Sequence, residues 1–195
     1  IEIRELLVPL VKGAASEGGP DQTATPSLPV AIHRPDISNE MALAWDLHQA
    51  GHLTAEQYAQ AVQDLTELFS NASDKGLVSV LHVLETRGLG KMEEILGFVA
   101  RKTDMPFIRL SDFELSEEAT SHLPLETMLR AGVLPFERLE SELLVVLQNP
   151  YDKELQKWVQ RVTGAPCHFF LTSPQEFVSA LDRLGQKAKE AKKKR

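Results

Sequence analysis

The sequence predicts an α+β protein in which an N-terminal helical repeat bundle precedes a small α/β sandwich domain. Two observations predict this order. Between residues 39 and 104, apolar residues recur at spacings of three and four, which is typical of amphipathic helices. From Met105 onward, short apolar β-type runs alternate with turns and helical stretches. Of the 195 residues, 43% are hydrophobic and 25% charged, which is enough apolar material for a globular core.

The first 38 residues divide into a predicted amphipathic helix over 1–12 and a predicted flexible linker over 13–38. The linker is rich in Gly, Pro, Ser and Thr, which break helical and strand periodicity. Two interpretations of the leading helix stay open: it docks on a partner from a flexible tether, or it folds back on its own domain. Its apolar residues at helical spacing are Ile3, Leu6, Leu7, Leu10 and Val11.

Residues 39–104 are predicted to form four helices. Ser38 or Asn39 is expected to cap the first, with Gly51 as its stop, and Thr54–Gln57 form a capping box for the second. The third is expected to end at Gly88, and the fourth before Pro106. The residues expected in the core are Tyr58, Val62, Leu65 and Phe69, then Leu77, Val80, Leu81 and Leu84, then Met92, Ile95, Leu96, Val99 and Ala100.

The four predicted helices form two copies of the same sequence unit. A helix, a glycine, a short turn and a second helix occur around Gly51 and again around Gly88, 37 residues later. Such a period is typical of helix pairs that stack on one another. The sequence therefore predicts two helix-turn-helix repeats within the helical subdomain.

Residues 105–184 are predicted to form the small α+β domain. A helix between the Asn149-Pro150 turn and Gly164 is expected to bury Trp158. The run Ser173–Glu176 combines a cap, a proline at the first helical position and a capping box. The predicted strands are Phe107–Leu110, Val133–Phe136, Leu143–Leu147 and Cys167–Leu171, and the expected buried helix residues are Leu155, Trp158, Val159 and Val162, then Phe177, Leu181 and Leu184.

Motifs that carry chemistry are missing from the sequence. It contains no G-x-x-x-x-G-K-[ST], G-x-G-x-x-G, H-E-x-x-H, C-x-x-C or G-x-S-x-G. His48 and His52 are four residues apart, but the Gly51 turn between them spoils a helical metal pair. Cys167 lies within a strand and is expected to be a small buried hydrophobe rather than a nucleophile. We therefore predict no enzyme activity, no catalytic residue, no metal and no cofactor. Trp158 and the pair Phe169-Phe170 are candidate interface anchors, and the helical spacing of Trp158 favours a core position for it.

Charge is unevenly distributed along the chain. The net charge is −7, yet six of the 21 basic residues lie in the predicted basic tail, residues 185–195, beside a single acid. The acidic body argues against nucleic-acid binding. The tail is expected to be a frayed, solvated end, with contact to anionic lipid or nucleic acid as the alternative. A single cysteine and the lack of an apolar run long enough to span a bilayer favour a cytoplasmic location.

An ordered series of short motifs extends through the second half. It comprises "MPFIRLSDF", "LP", "GVLPF", a hairpin ending in "NP", "VTGAP" and "TSPQEF". From Asn39 to Leu184 the chain resembles the N-terminal region of type II secretion protein E and of the type IV pilus assembly ATPases. The resemblance implies a non-catalytic regulatory and docking module that binds the cytoplasmic domain of an inner-membrane platform protein, or the ATPase assembly. It implies a cytoplasmic location, with peripheral inner-membrane association through the partner. Whether the chain is an excised domain or a stand-alone adaptor stays open.

In some pilus ATPases of this family the helical repeats bind cyclic di-GMP. The R-L-G positions of that motif correspond to Ala42–Ala44 around Gly51, and to Ser79–Leu81 around Gly88. The closing Gln corresponds to Leu65 and to Lys102. Both arginines are missing, and with them the fork that pairs with phosphate or stacks on guanine. The resemblance therefore implies a degenerate nucleotide motif, for which cyclic di-GMP is an unlikely ligand; a nucleotide sensor is the alternative function.

Overall fold

The computed structural model describes residues 33, 36–71 and 76–193. The predicted helix over 1–12 and most of the predicted linker lie outside this range. The first four helices are α1 (Ile37–Gln49), α2 (Ala55–Asn71), α3 (Val80–Arg87) and α4 (Met92–Thr103). They are followed by a 3-10 turn at Leu110–Asp112 and by two short helices, α5 (Glu117–Thr120) and α6 (Leu125–Ala131). The rest is β1 (Val133–Leu139), β2 (Glu142–Leu147), α7 (Lys153–Thr163), β3 (Cys167–Leu171) and α8 (Pro174–Lys193).

The starts and ends of α1 to α3 follow from local capping chemistry. Asp36, rather than Ser38 or Asn39, caps α1: its carboxylate accepts a hydrogen bond from the Ser38 amide at 2.8 Å. The predicted cap was therefore wrong, because a carboxylate two residues earlier satisfies the free amide first. The capping box of α2 is confirmed, with Thr54 and Gln57 exchanging hydrogen bonds of 2.9 and 3.2 Å. Gly88 ends α3 in the left-handed conformation.

The core of the helical half is narrower than the sequence predicts. In α2 the buried residues are Ala61 and Leu65, whereas Phe69 is 43% exposed. Tyr58 and Val62 are half-buried. The predicted stripe was partly wrong because α1 and α3 cover only one side of α2. In α3 and α4 the predicted core is largely confirmed: Val80, Leu81, Leu84, Ile95, Leu96 and Val99 are buried, while Leu77, Met92 and Ala100 are half-buried.

Within the residues that the structure describes, the sheet has three strands, in the order β1-β2-β3. β1 and β2 form an antiparallel hairpin with an irregularity between Pro135 and Glu137, and β3 pairs with β2 in parallel after the crossover helix α7. The predicted strand at Phe107–Leu110 is not formed. Its start makes one bridge to Leu171, through hydrogen bonds of Pro106 and Ile108, and the chain then turns at the 3-10 helix, where it buries Leu110.

The helices of the second half cover this sheet. Trp158 is 5% exposed on α7, so its prediction as a core residue is confirmed. Phe170 is buried and Phe169 half-buried, as the alternation of strand side chains requires. Phe136 lies between Phe113 and Phe170, with ring centroids 5.1 and 6.0 Å away. The predicted α+β class is confirmed.

The last helix differs from its prediction in two respects. Ser173 accepts a hydrogen bond from the Glu176 amide at 3.2 Å, but the Glu176 carboxylate accepts from the amide and hydroxyl of Ser111 instead of closing the capping box. The helix also continues to Lys193, through residues expected to be frayed. Its buried positions include Pro174, Phe177, Ala180 and Leu181, with Leu184 half-buried. Across the ranges described here, no helix is both long and apolar enough to cross a membrane.

Candidate interaction site

The structure shows what occupies the positions of the degenerate nucleotide motif. Around Gly51, Ala42 is exposed, whereas Leu43, Ala44 and Leu65 are fully buried. Around Gly88, Ser79, Val80 and Leu81 are all buried. Both glycines adopt positive φ angles, +78° and +64°, at the ends of helices. Except for Ala42, these residues therefore serve the helical core and the turns, and Lys102 is the motif position that carries a positive charge.

A buried carboxylate occupies the N-terminus of α3. Glu40 is 6% exposed, and its two oxygens accept hydrogen bonds from the Val80 amide at 2.7 Å and from the Asn149 side chain at 2.8 Å. Burial raises the pKa of Glu40 to about 7, against the lowering effect of these two donors. A helix N-terminus favours an anion. In this protein one of its own side chains takes that place.

A second polar contact joins α1 to the turn after β2. The Tyr151 hydroxyl donates to Asp46 at 2.6 Å, and Lys102 forms an ion pair with the same carboxylate at 2.6 Å. The hydrogen bond from Lys102, followed by that from Tyr151, lowers the pKa of Asp46. The Lys102 ammonium also lies 5.7 Å from the centre of the Phe98 ring. The cation at the closing position of the motif is therefore engaged within the fold.

The same turn makes a third contact, with His33. His33 Nε2 lies 2.9 Å from an Asp152 oxygen, and the other oxygen accepts from the Leu155 amide at 2.8 Å, which caps α7. Burial would raise the pKa of Asp152, but the hydrogen bonds from His33 and the Leu155 amide outweigh it, and the pKa is lowered. We call residues 149–152 the junction turn. Sequence reasoning identified it only as a turn, because its partners lie more than 100 residues away.

An aromatic cluster with one exposed ring, Trp45, is formed by side chains of α1 and α2. Trp45 is 48% exposed, and its ring lies 5.6 Å from those of both Tyr58 and His48, centre to centre. His48 and Tyr58 stack at 5.2 Å, and His48 Nδ1 donates to the Leu53 carbonyl at 3.0 Å. We call Trp45, His48 and Tyr58 the aromatic face. Sequence reasoning considered Trp158 and missed Trp45. The sequence pattern that could have identified Trp45 is its position on the side of α1 opposite the buried Leu43 and Leu47.

A groove with a volume of about 340 Å³ lies between α2 and α3. Leu68 on α2 and Val83 on α3 contribute apolar surface, and Leu68 is 41% exposed. At its edge, Arg87 binds both oxygens of Asp64, at 2.8 and 3.0 Å. A second groove of about 310 Å³ lies between α3 and the start of α8. Both are open surface features lined largely by helix side chains.

The residues considered for catalysis or metal binding do not converge. Cys167 is half-buried, and burial raises the pKa of its thiol, which disfavours the reactive thiolate. His52 lies against Phe98, with 4.8 Å between ring centres, while His48 belongs to the aromatic face. Over the described ranges, no three His, Cys, Asp or Glu side chains are grouped to hold a metal ion. The acid pairs Glu93-Glu94 and Glu117-Glu118 are exposed.

Comparison with known proteins agrees with this architecture. Residues 103–191 match the family model of the MshEN domain. The N-terminal domain of XpsE is similar in structure, with a TM-score of 0.51 and 17% identity over 78% of this chain and 98% of that chain. MshE, solved with cdg (cyclic di-GMP), gives a TM-score of 0.49 and 21% identity, over 72% of this chain and 96% of that chain. No curated protein matches the chain.

The similarity to the XpsE N-terminal domain concerns the fold, and the family match concerns residues 103–191. The second half of the chain is thus similar in sequence to MshEN domains. The resemblance predicted from the motif series is thereby confirmed. The helical repeats before residue 103 lie outside the family match, so the nucleotide positions around Gly51 and Gly88 stay a prediction.

Proposed function

We propose that this chain is a non-catalytic docking and regulatory module of the secretion and pilus assembly ATPases. Its partner is the cytoplasmic domain of an inner-membrane platform protein, and it acts at the cytoplasmic side of that membrane through the partner. The observation that supports docking is the aromatic face. Trp45 exposes about half of its surface, while two ring contacts hold its orientation.

The aromatic face has the physical properties of a binding hot spot. Tryptophan and tyrosine are enriched among such residues because they bury a large apolar area with few rotatable bonds. The contacts of Trp45 with Tyr58 and His48 reduce the entropy lost on binding. Trp45 also lies next to Asp46, which the junction turn binds through Tyr151. A partner on this face would therefore contact a helix that is fixed to the sheet.

The proposal is tested by measuring the affinity of the full chain for the cytoplasmic domain of the cognate platform protein. Trp45→Ala is expected to weaken binding about 30-fold, since a hot-spot residue contributes about 2 kcal/mol or more. The matched control is Phe107→Ala, because Phe107 is similarly exposed (42%) but lies at the sheet edge. Its affinity should stay within about twofold of the wild type. Absence of binding by the wild type, or equal losses in both variants, would contradict the proposal.

A cyclic di-GMP sensor is the second candidate function. The aromatic face beside the Gly51 turn favours it, because aromatic rings can stack on nucleobases. Two features oppose it: the motif positions lack a guanidinium group, and Glu40 occupies the N-terminus of α3. Calorimetric titration with cyclic di-GMP, with GMP as control, separates the two functions. Saturable heat with cyclic di-GMP alone would favour the sensor. The stand-alone adaptor remains a variant of the docking proposal.

A further inference from the structure

We propose that the groove between α2 and α3 binds an amphipathic α-helix of a partner protein, with basic residues beside the apolar stripe of that helix. This groove is a second binding surface. It does not depend on the platform partner or on the aromatic face, because Tyr58 and Asp64 lie on different sides of α2.

The spacing of the lining residues fits a helix. On α2, Asp64, Leu68 and Asn71 line the groove at i, i+4 and i+7, the pattern with which a helix contacts a neighbouring helix. Val83 and Arg87 contribute from α3 at i and i+4. Two helices side by side thus present a trough, and a third helix packs into such a trough with its apolar stripe facing inward.

The charge at the edge of the groove favours a partner helix with basic residues. All charged residues of α2 are acidic, namely Glu56, Asp64 and Glu67. Arg87 balances Asp64 through two hydrogen bonds, whereas Glu67 accepts its hydrogen bond from the neutral side chain of Gln63. The edge of the groove therefore carries net negative charge. Lysine or arginine on the incoming helix would be attracted, and acidic residues repelled.

One residue that lines the groove has a buried polar atom without a hydrogen-bond partner among the described residues. His82 lines the groove from α3, and its Nδ1 atom is buried without a hydrogen-bond partner in the part of the chain that the structure describes. Buried polar atoms are normally paired, and an unpaired one carries a free-energy cost.

The test is fluorescence anisotropy with two synthetic peptides and the full chain. Both peptides have about 15 residues and leucines at i, i+3, i+4 and i+7, flanked in one by lysines and in the other by glutamates. The lysine peptide is expected to bind at least about tenfold more tightly than the glutamate peptide, and more weakly as salt is added. Its binding should shift the NMR amide signals of α2 and α3 residues that line the groove.

Two variants distinguish this groove from other surfaces. Leu68→Asp is expected to weaken the lysine peptide at least about tenfold, because it places a charge in the apolar contact. Glu67→Lys should reduce the preference for lysine over glutamate. Trp45→Ala is the control and should leave the affinity unchanged. The proposal is overturned if the lysine peptide shows no binding up to about 1 mM, if both peptides bind equally, or if Trp45→Ala rather than Leu68→Asp removes binding.

Discussion

Glu40 provides a direct test of the buried contact between α1, α3 and the junction turn. Its folded-state pKa of about 7 is higher than the ordinary value of 4.5. Between these values the folded chain holds a proton that the unfolded chain has released. The favourable contribution of Glu40 is therefore fully present below about pH 4.5 and is lost as the pH rises through 7. We predict that the stability of the wild type declines over this interval.

The expected size of this effect follows from the pKa difference. Each unit corresponds to about 1.4 kcal/mol, so the rise at Glu40 corresponds to about 3 kcal/mol of unfolding free energy. Glu40→Gln removes the titration. It also costs about 1–2 kcal/mol at low pH, because a protonated carboxyl can accept from both Val80 and Asn149, whereas an amide nitrogen cannot accept.

Urea unfolding at pH 5, 6, 7 and 8 measures this prediction. The stability advantage of the wild type over Glu40→Gln should shrink by about 3 kcal/mol between pH 5 and pH 8. Subtraction of the two curves removes the titrations of Asp152 and of other groups that both proteins share. Glu190→Gln, an exposed acid on α8, is the control and should parallel the wild type. A difference between wild type and Glu40→Gln that does not change with pH would refute the reasoning.

Three further predictions concern packing, the junction turn and the thiol. Gly90→Ala should destabilise the fold by about 1–3 kcal/mol in thermal unfolding, since φ is +70° and a new Cβ would lie 2.8 Å from Ile95; an unchanged melting temperature would contradict this. Tyr151→Phe should lose about 1 kcal/mol in urea unfolding through the missing hydrogen bond to Asp46, and no loss would mean that the contact adds nothing. Cys167 should react with a thiol reagent at pH 8 much more slowly in the native protein than in urea, because burial raises its pKa; equal rates would contradict this.

Local chemistry determined the elements that the sequence predicted well. The capping box at Thr54–Gln57, the end of α3 at Gly88 and the strands β1, β2 and β3 each depend on signals within a few residues. Every residue of the run Leu143–Leu147 is apolar, so both faces of this strand must be buried. The strand accordingly lies in the centre of the sheet, and all five residues are buried. Such features depend on residues close together in the sequence, so they can be predicted without knowledge of the tertiary structure.

Features that depend on distant contacts were missed or misassigned. The exposure of Phe69 depends on which sides of α2 its neighbours cover, and the turn after Phe107 depends on the burial of Leu110. The helices α5 and α6 are only four and seven residues long, too short for a helical period to be evident.

The candidate site was the least predictable part of the molecule. Glu40 is buried because Val80 and Asn149, 40 and 109 residues away, satisfy its carboxylate. No local pattern marks such a residue, since a single glutamate on a helix is ordinarily a solvated side chain. Trp45 and Trp158 both lie in helices. Trp45 is exposed because it lies on the side of its helix opposite the buried residues, whereas Trp158 lies on the buried side of its helix. The division into two domains near residue 104 stays a prediction.

The proposed role is tested most directly by calorimetry with two ligands, the platform domain and cyclic di-GMP, titrated into the same preparation of the full chain. The account predicts saturable heat with the platform domain, about 30-fold weaker affinity in Trp45→Ala, and no heat with the nucleotide. Saturable heat with cyclic di-GMP and none with the platform domain would contradict it.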